Sequence, residues 1–340
     1  MTINSIPGVR QDSYPPVTSL SKMHYQNSIR LANVLQLEHL IGIPTAVAHI
    51  VASCLANALD PPFGAAEWLK YYRVIVEPSD LPDEYYTWAF SKDVTKKDKL
   101  NHETHSPPVL LPRGITEIDK EGNEIQSRHY TIRTMNELVQ HPKLGPQLKI
   151  FKGGPSGCLN LKAKDSCWLV MTREVFARNQ SSETQMNAMK IFKADQIAYM
   201  KTRNVTMDGY DVMPKVLDLI TVVFAMYVSK GECLLSMGSP GKSSTASRCV
   251  EQVKIVKESY PPGGSLYPWE RYQYTAQRTV GSFGSQLGLF IADDDGVTQS
   301  IKYGVAGVQR FKRLPQPLEL LKMFDNLNNG LQASSNKLSS

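Results

Sequence analysis

No stretch of this 340-residue chain predicts a membrane span. The longest strongly apolar run, Val216 to Val228, already contains Asp218, whereas a bilayer-spanning helix needs about 20 apolar residues. The opening residues, MTINSIPGVRQDSYPP, lack the basic start and apolar stretch of a secretory signal, so a cytoplasmic location is expected. Cysteine is scarce: Cys54, Cys158, Cys167, Cys233 and Cys249 form no close CxxC pair, which predicts free thiols in a reducing compartment. Histidine is missing after His141, while four of the five cysteines follow it, a segregation that argues against a mixed Cys/His zinc site. No complete catalytic motif is present, and no cofactor or metal is expected.

What is present is an ordinary globular composition, with 41% hydrophobic and 21% charged residues; it disfavours both global disorder and a coiled coil. The chain is long enough to bury a full core without staples. The net charge of +6 is unevenly spread. Residues 1–150 hold 15 Lys and Arg against 16 Asp and Glu, and residues 151–340 hold 23 against 16. The excess is densest from Lys152 to Arg203, with nine basic residues and four acidic ones. A basic half of this kind suggests an anionic partner such as nucleic acid.

The pattern along the chain predicts a flexible arm over 1–21, rich in Pro, Ser, Thr and Asn. Two helices follow, one around Ile29, Leu31, Val34 and Leu35, and one started by Pro44 and running to about Leu59. Between Tyr71 and Val170 the β-branched and aromatic runs YYRVIVE, YYTWAF, ITEID, EIQSRHYTIRT, QLKIF and CWLVMT read as strands. The turn residues Asp119 to Asn123 set a hairpin between Ile115 and Thr134, and a short helix is expected around Asn136 to Gln140. Helices are then expected over Thr184–Lys201, over Val212–Val228 as a buried central element, from Ser243 or Ser244 through Val256, and from near Pro268 and Pro317. A polar tail closes the chain. The expected fold class is α+β, predominantly α-helical, with an N-terminal lobe over 22–172, a helical C-terminal lobe over 173–326 and a flexible tail over 327–340.

Three strings resemble catalytic motifs without completing them. Gly238-Ser239-Pro240-Gly241-Lys242-Ser243 approaches the phosphate-binding loop, but Ser236 stands where the first glycine belongs and too little chain follows the run Leu287–Ala292 to build the parallel sheet. His102-Glu103-Thr104-His105 is one residue short of HExxH, in a segment that reads as a solvated loop. Gly153-Gly154-Pro155-Ser156-Gly157 reads as a turn, since Cys158 occupies the place where a nucleophile elbow needs glycine.

The segment from Tyr267 to Arg278 carries more. If helical, Tyr267, Arg271, Tyr274 and Arg278 fall on one face, offering guanidinium forks for phosphates and rings for stacking; the same stripe can equally be core. Arg310, Phe311, Lys312 and Arg313 repeat the mixture. Candidate nucleic-acid contacts are therefore Lys152, Lys162, Lys164, Arg173, Arg178, Lys193, Lys201, Arg203, Tyr267, Arg271, Tyr274, Arg278, Arg310, Lys312 and Arg313, with Arg271 and Arg278 foremost.

A bulky body with a basic second half and polar arms at both ends resembles, in organisation over the whole chain, the nucleoproteins and coat proteins of RNA viruses. That resemblance implies arms that link subunits and a basic groove that holds RNA, hence a self-assembling, non-enzymatic protein that packages single-stranded RNA and resides in the virion as well as the cytoplasm. Two other classes stay open: a structural or matrix-type protein that assembles without nucleic acid, and an enzyme whose site is built from scattered residues.

Overall fold

The computed structural model describes residues 59–143, 147–153, 158–236, 245–259, 270–284, 288–294 and 303–312. The two N-terminal helices, both terminal arms, the helix near Pro317, the string Gly238–Ser244, the turn residues 154–157, Tyr267 and Arg313 lie outside them.

Ten strands and six helices make up the described residues. The first half holds α1 (Ala65–Tyr72), β1 (Val74–Ile75), α2 (Asp83–Ala89), α3 (Asn101–Thr104), β2 (Val109–Leu111), β3 (Gly114–Ile118), β4 (Glu124–His129), α4 (Ile132–Gln140) and β5 (Ile150–Gly153). The second holds β6 (Cys167–Phe176), α5 (Ser182–Lys201), α6 (Val216–Lys230), β7 (Ala246–Ser259), β8 (Glu270–Gly284), β9 (Gly288–Asp294) and β10 (Tyr303–Lys312). Strands β1, β3 and β4 form one small sheet; the other seven form a sheet in the order β2-β6-β10-β7-β8-β9-β5. No helix among the described residues is long and apolar enough to cross a membrane.

The expectation of a predominantly helical chain is therefore wrong, and the error lies in the C-terminal half. The helices expected from Ser243 and from Pro268 are instead β7 and β8, paired antiparallel from Ala246↔Gly281 to Ser259↔Glu270. The spacing of Val250 and Val253 suggested a helical face. In the structure the two segments pair with each other as antiparallel strands over most of their length, with Cys249 buried and Val250 50% exposed. The β-branched and aromatic residues of both segments fit a pleated surface better than a helix. A smaller error runs the other way. YYTWAF is not a strand but most of α2, which starts after Pro82 with Asp83 and Glu84 in its first turn, where carboxylates favour a helix N-terminus.

Helix α6 is the structural centre. Every residue from Val216 to Met226 is buried, and each large aliphatic or aromatic side chain so placed contributes about 1.5–3 kcal/mol. Gly231, at φ 69°, ends the helix by donating its N–H to the Tyr227 carbonyl, as a left-handed C-terminal glycine does. Across this core Tyr130 Oη meets Thr221 Oγ1 at 2.8 Å. Phe63, Trp68, Tyr72 and Tyr130 pack as an aromatic cluster with Trp68 at its middle, and the Trp68 indole donates to the Leu110 carbonyl at 2.9 Å.

The large sheet is joined at its middle by a short contact. β10 pairs extensively with β6 but meets β7 through only two parallel pairs, Tyr303↔Ala246 and Gly304↔Ser247. Where β7 crosses β8, a Cβ on Gly281 would stand 2.3 Å from the Ala246 Cα, so only glycine permits that approach. Buried Arg248 ties β7 to α5, donating to the Gln180 carbonyl at 2.9 Å and Gln185 Oε1 at 2.8 Å. Ser181 caps α5 through the Thr184 N–H.

Candidate nucleic-acid interface

The pairing of β6 with β10 sets Lys312 opposite Cys167 and Arg310 opposite Leu169. This brings the end of β10 against the loop that leads into β6. The N-terminus of α6 approaches from one side and the residues between β2 and β3 from the other. A cleft of about 830 Å³ opens among these four segments and β7.

Its rim is basic. Arg113, Lys162, Lys164, Lys215 and Lys312 line it and are exposed, against the exposed carboxylates Glu77, Asp165 and Asp208. Backbone contacts fix the cations in place. Lys162 bridges to Thr131, the N-cap of α4, and the Ala163 N–H donates to the Tyr130 carbonyl. The Arg113 N–H donates to Ser166 Oγ at 2.9 Å, joining the β2–β3 connection to the same loop. Low-dielectric walls around such a rim concentrate its potential on whatever enters.

The floor is built differently. Asp218, 1% exposed, pairs with Arg310 Nη2, and Arg310 Nε donates to Asp211 Oδ2 at 2.8 Å. One guanidinium thus holds two carboxylates, and Arg310 Nη1 lies 3.5 Å from the Cys167 sulfur. Burial pushes the Cys167 thiol up, with Arg310 opposing, so it is no activated nucleophile. Glu251, half-buried on β7, accepts the Val216 N–H at the start of α6 at 3.0 Å. Burial raises its pKa above the ordinary carboxylate value, while hydrogen bonds from the Val216 and Glu251 backbone and the charges of Lys215 and Arg278 act the other way.

Of the residues singled out in the sequence, Lys162, Lys164, Arg310 and Lys312 meet in this cleft. Arg310 is there as a clamp between carboxylates rather than as a free cation. Arg173 is paired with Glu232 and, at 3.8 Å, Asp60. Exposed Arg178 donates to Thr245 Oγ1 at 3.1 Å. Lys193, Lys201 and Arg203 belong to α5 and the turn after it, with Arg203 over the Tyr199 ring at 5.5 Å. Lys152 lies on β5, opposite Ile291. Arg271, Tyr274 and Arg278 lie on β8, not on a helix, so the helical face expected for them is not formed. Arg278 is only 3% exposed.

Arg113, Lys215, Asp211, Asp218 and Glu251 escaped the sequence reading. Arg113 and Glu251 are far in sequence from Asp211, Lys215 and Asp218, and the β6–β10 pairing and the docking of α6 bring them together. The His102–His105 string also departs from expectation. It forms the short helix α3 and leads into a fully buried imidazole rather than lying in a solvated loop. His105 Nε2 meets Tyr210 Oη at 2.9 Å, and Nδ1 meets the Asn101 carbonyl at 2.9 Å. Burial holds its pKa down at about 4. Both rings are sealed from solvent, so the pair anchors the segment between α5 and α6 that supplies Asp208, Asp211 and Lys215. No cluster of His, Cys, Asp and Glu suited to a metal ion occurs among the described residues, and the four described cysteines are free thiols.

No protein-family profile, curated protein or solved structure matches this chain.

Proposed function

We propose that the protein is an RNA-binding nucleocapsid or coat protein that grips single-stranded RNA by its phosphates in the cleft between β6, β10 and α6, and assembles with further copies of itself. The observation that carries this reading is the convergence of five exposed cations, contributed by the β2–β3 connection, the loop before β6, the approach to α6 and the end of β10, on one concave surface. Separate segments spending lysines and arginines on one hollow fit an extended polyanion better than a solvated face. Among the described residues the only aromatic ring lining the cleft, Phe311, is 3% exposed. This supports contact with the backbone and not with bases, and hence indifference to sequence.

The test is the salt dependence of binding to a fluorescein-labelled 20-nucleotide poly(U), read by anisotropy. With all five cations engaged, log K against log salt should fall with a slope of about −3.5, and Lys162→Glu with Lys164→Glu should flatten it by at least about 1.4. An unchanged slope in the double variant counts against the cleft. Scattering mass before and after ribonuclease tests assembly: polymers that shrink on digestion fit packaging, whereas polymers indifferent to it would move the protein to the structural, matrix-type class.

A further inference from the structure

We propose that RNA binding at this cleft is coupled to proton uptake by Glu251, so that the protein holds RNA more tightly in mildly acidic solution than in alkaline solution. The inference rests on the reading of the cleft as an RNA site.

The argument begins with what a phosphate would meet on the floor. Two carboxylates lie there. Asp218 is already matched by Arg310, which also holds Asp211. Glu251 is matched less directly. Lys215 approaches from the start of α6 and Arg278 from β8, while Cys249 on its own strand is a neutral, buried thiol facing it. It accepts the Val216 N–H at 3.0 Å, a contact that a protonated or amide side chain can still satisfy through a carbonyl oxygen. The rim cations above it are Arg113, Lys162, Lys164, Lys215 and Lys312, with Asp208, Asp165 and Glu77 at the margin.

A phosphodiester drawn in by the rim brings negative charge toward Glu251, and like charge disfavours its ionised form. The carboxyl starts from a pKa already raised by burial, so the proton is the least costly way to relieve the repulsion. Linkage is reciprocal: if bound RNA favours the proton, the proton favours RNA. Phosphodiesters do not titrate near neutrality, and among the described residues no histidine lines the cleft, so the linkage falls to this carboxyl.

Poly(U) affinity of the full chain, measured at fixed salt from pH 8 down to pH 5.5, should rise as pH falls, by up to about tenfold per pH unit where one proton is linked. Glu251→Gln keeps the acceptor for Val216, and should bind more tightly than the wild type at pH 8, with the pH dependence gone. Near-UV circular dichroism at both ends of the range checks its packing. Should it misfold, proton uptake by the wild type on mixing with poly(U) at pH 6 in weak buffer, followed with an indicator dye, supplies the same answer. A Glu251→Gln variant as pH-dependent as the wild type, or no proton uptake, overturns the inference. A pH-independent wild type that still weakens with Lys162→Glu and Lys164→Glu overturns the coupling and leaves the RNA site standing. Binding indifferent to those two lysines at every pH overturns the site itself, and the coupling with it.

Discussion

The rim of the cleft and the outer side of α5 are both basic, and they differ in setting. On α5 and its following turn, Lys193, Lys201 and Arg203 lie outside the cleft. A Cβ on Gly209 would meet the Lys193 stem at 3.1 Å, and Arg203 folds back over Tyr199. Such side chains cover apolar neighbours while their charged ends reach water. In the cleft the cations come from well-separated parts of the chain and face one hollow. The lesson is that charge density along a sequence and charge focused in space are different quantities. The densest basic stretch runs from Lys152 to Arg203, yet of its described cationic side chains only Lys162 and Lys164 line the cleft.

If the contrast is real, the floor must be rigid where α5 is only decorated. The largest effect should come from Arg310→Ala, which leaves Asp211 and the buried Asp218 without their partner at a cost of about 3–5 kcal/mol. Urea denaturation would read it. Replacing both sides, Arg310→Met with Asp218→Leu, should recover most of the loss, since an apolar pair of similar size is often no less stable than a buried ion pair.

Next comes the acid sensitivity of the buried His105–Tyr210 pair. Unfolded chains protonate His105 near 6.5, whereas the folded protein does so only at about 4. Between those values the unfolded state holds the extra proton, so stability falls as pH falls, by about 3 kcal/mol in all. Urea midpoints between pH 7 and pH 5 should decline accordingly, and the decline should shrink in His105→Gln even though that variant is less stable throughout.

A smaller effect is expected beneath Lys162. Thr131→Ala removes the cap that accepts the Thr134 N–H at 3.1 Å and should cost about 1 kcal/mol, measurable as a shift of the thermal midpoint. The smallest is expected on α5: Lys201→Glu should stay within about 0.5 kcal/mol of wild type, as exposed substitutions do.

Much of the central architecture was legible before any coordinates. The apolar run of α6, the turn between β3 and β4, the length and apolar spacing of α5 and the β-branched run of β6 each carry their own local signal. β7 and β8 were misread because their valines and tyrosines recur at spacings that a helix also allows, and their choice of strand comes from pairing with each other. The site was half legible for a related reason. Lys162, Lys164, Arg310 and Lys312 sit in basic stretches that attract notice, whereas Arg113, Lys215 and Glu251 are single charges whose meaning depends on contacts more than 30 residues away in sequence, such as Val216 to Glu251.

The most direct test sets the two basic surfaces against each other in one titration. Poly(U) binding is measured for the wild type, for Lys162→Glu with Lys164→Glu on the rim, and for Lys193→Glu with Lys201→Glu on α5, each across a range of salt. The account predicts a weakened, flatter salt dependence for the rim variant and less than about a twofold change for the α5 variant at 150 mM salt, where charges more than about 8 Å from the RNA are screened. Equal losses in both variants, or a loss confined to α5, would contradict it.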